Sequence, residues 1–339
     1  MSLKRYGTLL SLALLLAGCV TPAAEAPVAP ETAPSAEAPS RAEAPLPAHV
    51  NEAGRIPVLM YHRIAASDSV YDRSAEAFAS DLERLHAEGY RPISLEDFIA
   101  GRIDVPAGLS PVVLTFDDGD PSQYRAVEGG PEPTADCALG IMEAFREKHP
   151  DFNPQATFFV NGGGRFGQSS RQAEKLAYLV SRGYTIGNHS FGHEKLSALT
   201  PEEIMVTLGR NASALEDLTG DPVTLLALPY GIRPKEPEAM AAVVSGAWEG
   251  KPYENIGVLN VGWQPELPAY VTGFDPRAIN RIRCGDGEGE AWDWLSRLTV
   301  ESGQRFVSDG DPDTVTVPAA LADAVRQDAL QGKTLRIAE

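Results

Sequence analysis

An α/β fold, with a mainly parallel sheet or barrel and helices packed outside it, is what this sequence predicts, on three observations. Short apolar runs of strand length alternate with amphipathic stretches of helical period from Arg55 onward. The helical stretches stop at glycines placed to end them. Residues 55–339 show no internal repeat and read as one domain, long for a single core but within the range of barrels.

The elements follow in order. Ile56 to Tyr61 (IPVLMY) reads as a buried strand, and Ala75 to Gly89 as a helix carrying Phe78, Leu82 and Leu85 on one face. Pro111 to Phe116 (PVVLTF) is a second buried strand, Cys137 to Glu147 a helix, and Ala156 to Val160 (ATFFV) a third strand. Ala173 to Arg182 is a helix closed by Gly183, Tyr184 to Gly187 a short strand, and Pro201 to Leu218 a helix closed by Gly220. Leu225 to Leu228 is a strand. The stretch from Gly119 to Pro154 is long for a connection and rich in Gly and Pro, so part of it is an irregular insertion. Beyond Pro234 the pattern weakens, with strands over Asn255 to Val261 and Thr314 to Val317 and a helix over Pro318 to Leu330.

The N-terminus has a different character. Lys4 and Arg5 precede an apolar run from Thr8 to Ala17, half the roughly 20 residues that a membrane-spanning helix needs. That is the form of a signal peptide over residues 1–18. Leu16-Ala17-Gly18-Cys19 resembles a bacterial lipobox, in which Cys19 becomes the first residue and carries the lipid. Val20 follows it, where an Asp would signal retention, so by the Gram-negative sorting rule the expected location is the cell envelope, on the periplasmic side of the outer membrane if the cell is Gram-negative. Residues 19–54, rich in Ala, Pro, Glu and Ser, read as a disordered tether.

The chain carries a formal charge of −18, and loss of Lys4 and Arg5 with the signal makes it more acidic still. Nucleic-acid binding is excluded on this ground, since phosphate contacts need clustered Lys and Arg. Polyanionic substrates are disfavoured, and a neutral glycan fits. Cys137 and Cys284 are the two remaining cysteines, and in an oxidising compartment they could pair.

Two clusters carry the chemistry. Thr115-Phe116-Asp117-Asp118-Gly119 lies at the C-terminal end of a predicted buried strand, where adjacent carboxylates are costly unless a cation supports them. His189-Ser190-Phe191-Gly192-His193 also follows a strand, and histidines four apart share one face of a helical turn. One carboxylate and two imidazoles make a three-ligand site with room for water and substrate. That arrangement suits catalytic zinc and other first-row metals.

With IPVLMYH at the first strand, LTFDDG, ATFFV, GYTIGNHSFGH and LALPYG in that order over Arg55 to Gly231, the chain resembles the polysaccharide deacetylase family, carbohydrate esterase family 4. The resemblance implies a distorted (β/α) barrel and hydrolysis of N-acetyl, sometimes O-acetyl, groups on sugars. It implies Asp118, His189 and His193 as ligands of a divalent metal, zinc first with cobalt or nickel as substitutes. Asp117 would be the general base, and the backbone N–H of Tyr230, in Pro229-Tyr230-Gly231, would help hold the oxyanion. The chain departs from the family twice. Ala227 stands where many members have an Arg that orients the base, and no His follows His193 to act as general acid. Arg281, in Asn280-Arg281-Ile282-Arg283, is a candidate to restore the cation; for the acid, either Asp117 returns its proton to the amine or Asp275 or Asp286 supplies one. His62 is taken as a structural residue. Trp263, Trp292 and Trp294 could stack on sugars or fill the core.

The expected protein is therefore an exported, lipid-anchored, metal-dependent deacetylase of an N-acetylated bacterial polysaccharide. An O-acetyl esterase using the same site, or a glycan-binding lipoprotein without turnover, is the alternative.

Overall fold

The computed structural model describes residues 46–338. The expected signal peptide, Cys19 and the tether up to residue 45 lie outside the described residues. Eight strands form one sheet: β1 (Val58–Tyr61), β2 (Tyr90–Pro92), β3 (Ser110–Phe116), β4 (Ala156–Val160), β5 (Thr185–Asn188), β6 (Leu225–Ala227), β7 (Gly257–Leu259) and β8 (Ile282–Arg283). Their order in space is β7-β6-β5-β4-β3-β1-β8, with β2 paired to the start of β3, and every pairing is parallel. The ring closes beyond β7, where Asn260 N–H donates to Ile279 O (2.8 Å) and Gly262 N–H to Arg281 O (3.0 Å), just before β8 joins β1. This is a distorted (β/α) barrel.

Period-two alternation along the strands builds two cores. Val58, Val113, Phe159, Leu225, Ala227 and Leu259 point into the barrel and pack on one another. Leu59, Leu114, Phe116, Phe158, Val160 and Leu226 point outward, against the helices. Both faces being covered, the strands read as unbroken apolar runs.

The covering helices are α1 (Ala75–Ala87), α2 (Leu95–Ile99), α3 (Ala138–Lys148), α4 (Gln172–Ser181), α5 (Pro201–Thr219), α6 (Pro237–Val244) and α7 (Ala291–Arg297). Helix α5 shows why they start and stop where they do. Thr200 and Glu203 form a capping box around Pro201, and Gly220 ends the helix at φ 81°, a conformation that costs glycine little.

Two expectations are corrected, and the question left open for the cysteines is answered. Residues 318–330 are not one helix but two short 3₁₀ turns, Ala319–Ala324 and Gln327–Ala329. Val325 and Arg326 between them bridge to Val271 and Tyr270, so tertiary pairing outweighs the helical spacing of the apolar residues. Cys137 and Cys284 are both buried and unpaired, each seated in its own part of the outer core. The folded part begins before Arg55, because Val50, Asn51, Glu52, Ala53 and Gly54 are already buried and Asn51 bridges to Val307.

Candidate metal centre

The strand C-termini meet at a cavity of about 290 Å³ lined by His62, Asp117, Asp118, His189, His193 and Tyr230, among others. His62 follows β1, the two aspartates follow β3, the two other histidines follow β5, and Tyr230 follows β6. A ring of parallel strands brings residues distant in sequence to one mouth.

Asp118 Oδ1 lies 3.4 Å from His189 Nε2 and 3.3 Å from His193 Nε2. Ligands bound at about 2.0–2.1 Å to a common tetrahedral centre stand roughly 3.3 Å apart, so the spacing fits a first-row divalent ion. The donor states fit as well. His189 Nδ1 faces the Ala227 carbonyl at 2.8 Å. A carbonyl cannot donate, so the proton is on Nδ1 and Nε2 keeps its lone pair free for a metal ion. Burial, then His189, holds His193 below the ordinary imidazole value, in its neutral form. Burial alone would raise Asp118, but its contact with His189 lowers it, so it is ionised.

The His189–His193 segment is not the helical turn its spacing suggested. It is an irregular loop in which Ser190 (φ 59°) and His193 (φ 57°) adopt left-handed backbone, as do Asp118 (φ 76°) and Tyr230 (φ 60°). Such strain on non-glycine residues persists only where surroundings enforce it. Here Glu194 does so, accepting hydrogen bonds from Ser190 Oγ (2.8 Å), Gly192 N–H (3.0 Å) and Thr207 Oγ1 (2.7 Å). Asn211, on α5, ties the same loop to β4 by donating to Val160 O (2.7 Å) and Asn188 Oδ1 (2.9 Å).

Asp117 is buried and gripped at both oxygens by Arg281, at 2.6 and 2.7 Å. Arg281 is 0% exposed and also donates to Thr115 Oγ1 (3.2 Å) and Asn260 O (3.0 Å). Burial by itself would push the Asp117 pKa up. The Arg281 guanidinium, with His189 and His62, overcomes this and holds the carboxyl well below the usual range. The carboxylate is thus ionised and fixed in orientation, while Ala227 contributes its carbonyl to His189 instead of a side chain to Asp117.

The acid candidates are placed differently from expectation. Asp286 is engaged by Arg73 at 2.7 Å and by Arg84, and Asp275 lines a separate cleft beside Arg233 and Arg277. Neither lines the cavity. His62 does, with Nε2 3.9 Å from Asp117 Oδ2 and its ring edge-on to Tyr71 at 5.0 Å. Burial lowers the His62 pKa, partly offset by Asp117 and Asp118. The signal was available: His62 ends the first strand just as Asp117 ends the third. Gln123, from the insertion, went unnoticed too. It is buried and donates to the Asp117 carbonyl and, at 2.7 Å, to the His62 carbonyl, bracing both strand ends.

Tyr230 lines the cavity and turns its ring to His193, centroids 4.6 Å apart. Gly231 beside it is pressed so close to Val261 that a Cβ would sit 2.5 Å from that side chain. Of the three tryptophans, Trp292 is buried and donates to Asp81 at 2.7 Å, and Trp294 packs at the edge of the outer core. Trp263 alone is open, 74% exposed and two residues beyond Val261.

Comparison with known proteins bears on the family and the fold. Residues 105–243 match the polysaccharide deacetylase family model, which supports a domain of that family over this span. A protein of Bacillus subtilis strain 168, YxkH, which carries a polysaccharide deacetylase name, is 24% identical over 178 residues, 52% of this chain and 57% of that one. The peptidoglycan-N-acetylglucosamine deacetylase PgdA of Listeria monocytogenes is 26% identical over 152 residues, 44% of this chain and 28% of its own. This chain thus spans little more than half the length of one curated relative and less of the other. Among solved structures, the deacetylase PplD of Streptococcus pyogenes, in complex with acetate, superposes with a TM-score of 0.52 at 18% identity, over 73% of this chain and 96% of that one. IcaB from Ammonifex degensii gives 0.51 at 21%, over 75% and 99%. These two share the barrel fold.

Proposed function

We propose that this protein is a metal-dependent hydrolase that removes N-acetyl groups from a polysaccharide of the bacterial envelope. The observation that carries the reading is Asp117: an ionised carboxylate, locked by Arg281, standing beside a three-ligand cluster at an open cavity. A binding site alone has no need of a buried, oriented base. The names of the relatives, peptidoglycan deacetylases among them, support the substrate class.

Asp118, His189 and His193 would hold the ion, which when bound supplies Lewis acidity and a water acidified toward neutral pH. Asp117 accepts the proton of the attacking water, its oxygens aimed by the Arg281 fork. The backbone N–H of Tyr230, a cavity residue with left-handed φ, would donate to the developing oxyanion; such donors are worth roughly 3 kcal/mol. The leaving amine needs a proton, and His62, which burial keeps neutral at rest, would relay to it the proton that Asp117 takes from water, Nε2 standing 3.9 Å from Asp117 Oδ2. Tyr71, Tyr230 and Trp263, all more than half exposed near the mouth, offer flat faces for sugar rings.

The test is acetate release from N-acetylated and O-acetylated glycans, with zinc, cobalt or nickel restored after chelation. Asp117→Asn and His62→Gln should each keep the metal, since the ligands remain, and lose about 10²-fold or more in rate. Wild-type protein that holds metal yet releases no acetate from any of these glycans would leave a binding protein with this fold, and release from O-acetyl groups alone an esterase.

Export and lipid anchoring at Cys19 complete the proposal, on the Leu16-Ala17-Gly18-Cys19 motif. Palmitate labelling should disappear in Cys19→Ala; labelling that persists contradicts it.

A further inference from the structure

A second group of metal-type donors sits away from the barrel mouth, where α1 and α3 end side by side. His86 is in the last turn of α1, His149 caps the C-terminus of α3, and Asp151 follows in the next turn. One donor atom from each lies within 4.8 Å of the other two. His86 Nε2 stands 3.2 and 2.9 Å from the two Asp151 oxygens, and His149 Nε2 stands 3.3 Å from Glu83 Oε2. These separations approach the roughly 3.3 Å between neighbouring ligands on a tetrahedral zinc.

Three further features point to a cation. His149 Nε2 is shut off from solvent and makes no hydrogen bond, although buried ring nitrogens ordinarily find a partner. Aromatic side chains hold both imidazoles in place: Phe145 stacks on His149 with centroids 4.5 Å apart, and Phe152 meets His86 edge-on at 5.9 Å, leaving the two imidazoles 4.4 Å apart. The C-termini of two helices also converge here, and their partial negative charge favours a cation. The neighbouring cations leave donors open. Arg91 takes Asp151 Oδ2 at 2.6 Å, and Lys148, whose side chain is 63% exposed, takes Glu83 Oε1. Asp151 Oδ1 and Glu83 Oε2 still face the imidazoles.

We propose that His86, His149 and Asp151 form a second site for a first-row divalent cation of the zinc type, clamping the end of α1 to the end of α3. Two imidazoles and one carboxylate supply three ligands, and Glu83 stands beside His149 at their edge. The site is independent of the deacetylase reading.

Zinc bound per chain, measured on full-length protein after loading and dialysis, tests it. Wild type should hold two equivalents, His149→Gln one, His193→Ala one and the double variant none. His86→Asn should lose the same equivalent as His149→Gln, with unchanged circular dichroism, which guards against a folding defect at the buried position. Wild-type zinc content retained in both His149→Gln and His86→Asn overturns the proposal. A single wild-type equivalent lost in His149→Gln but kept in His193→Ala would uphold this site while removing the one in the cavity.

Discussion

Asp117 and Arg281 show how far one pair of residues shapes the site. Each is almost completely buried, and each is tolerable there only because of the other. Removing one partner of a buried ion pair costs about 3–5 kcal/mol, because an uncompensated charge stays behind, whereas removing both costs far less. Arg281→Met should therefore destabilise the chelated protein by several kcal/mol in urea denaturation, and adding Asp117→Asn should recover most of that loss. Strictly additive effects of the two substitutions would show that the pair is not coupled. Without Arg281, burial would dominate and raise the Asp117 pKa, so the acid side of the rate profile should move to higher pH. The clustered Asp118, His189 and His193 were legible in the sequence because each sits in a short motif at a strand end. Arg281 was accessible only by asking which cation could replace the missing one near Ala227, since 164 residues separate it from Asp117.

At the scale of elements, what was legible follows from period and length. β3, β4 and α5 have long, clean patterns, and their bounds agree with the sequence reading to within a residue. Two-residue β8, three-residue β2 and five-residue α2 are too short to show a period, and their pairings and packing define them instead. The hairpin of Ser245–Trp248 and Lys251–Glu254 was missed for a related reason: only Tyr253 of its eight residues is buried, so no alternation marks it. The loops after β3 and β5 were legible as motifs but not as shapes. The conformation of His189 to His193 depends on Glu194, Thr207 and Asn211, and the last two sit on α5, so contacts override the helical spacing. Spacing finds the ligands in this fold; the contacts that aim them are tertiary.

At the scale of the whole molecule, the segment before β1 and the C-terminal segment close the lower end of the barrel together. Asn51 pairs with Val307, Glu52 N–H donates to Thr316 O at 2.9 Å, and Tyr270 donates to the Glu52 carbonyl at 2.9 Å. The Glu52 side chain lies in this seam, accepting from Thr316 N–H at 2.7 Å and from Ser308 Oγ and Asp309 N–H at 3.3 Å. Burial, and then the charge of Asp309, push its pKa up to about 8 from 4.5, more than its hydrogen bonds can lower it. The sign of the effect on stability follows. Between pH 4.5 and about 8 the folded chain keeps a proton on Glu52 that the unfolded chain has released, so the native state binds more protons and stability falls as pH rises through that window. At about 1.4 kcal/mol per pH unit the seam loses on the order of 3–5 kcal/mol across the window, and nothing further above it. Glu52→Gln removes the titration while keeping the size and an acceptor oxygen for Thr316. The variant should melt higher than wild type at pH 8 and close to it at pH 5, so the difference between the two proteins grows with pH. Melting temperatures that fall in parallel for both proteins from pH 5 to pH 8 would mean that Glu52 is already ionised in the fold, held by Thr316 and Ser308 in spite of its burial.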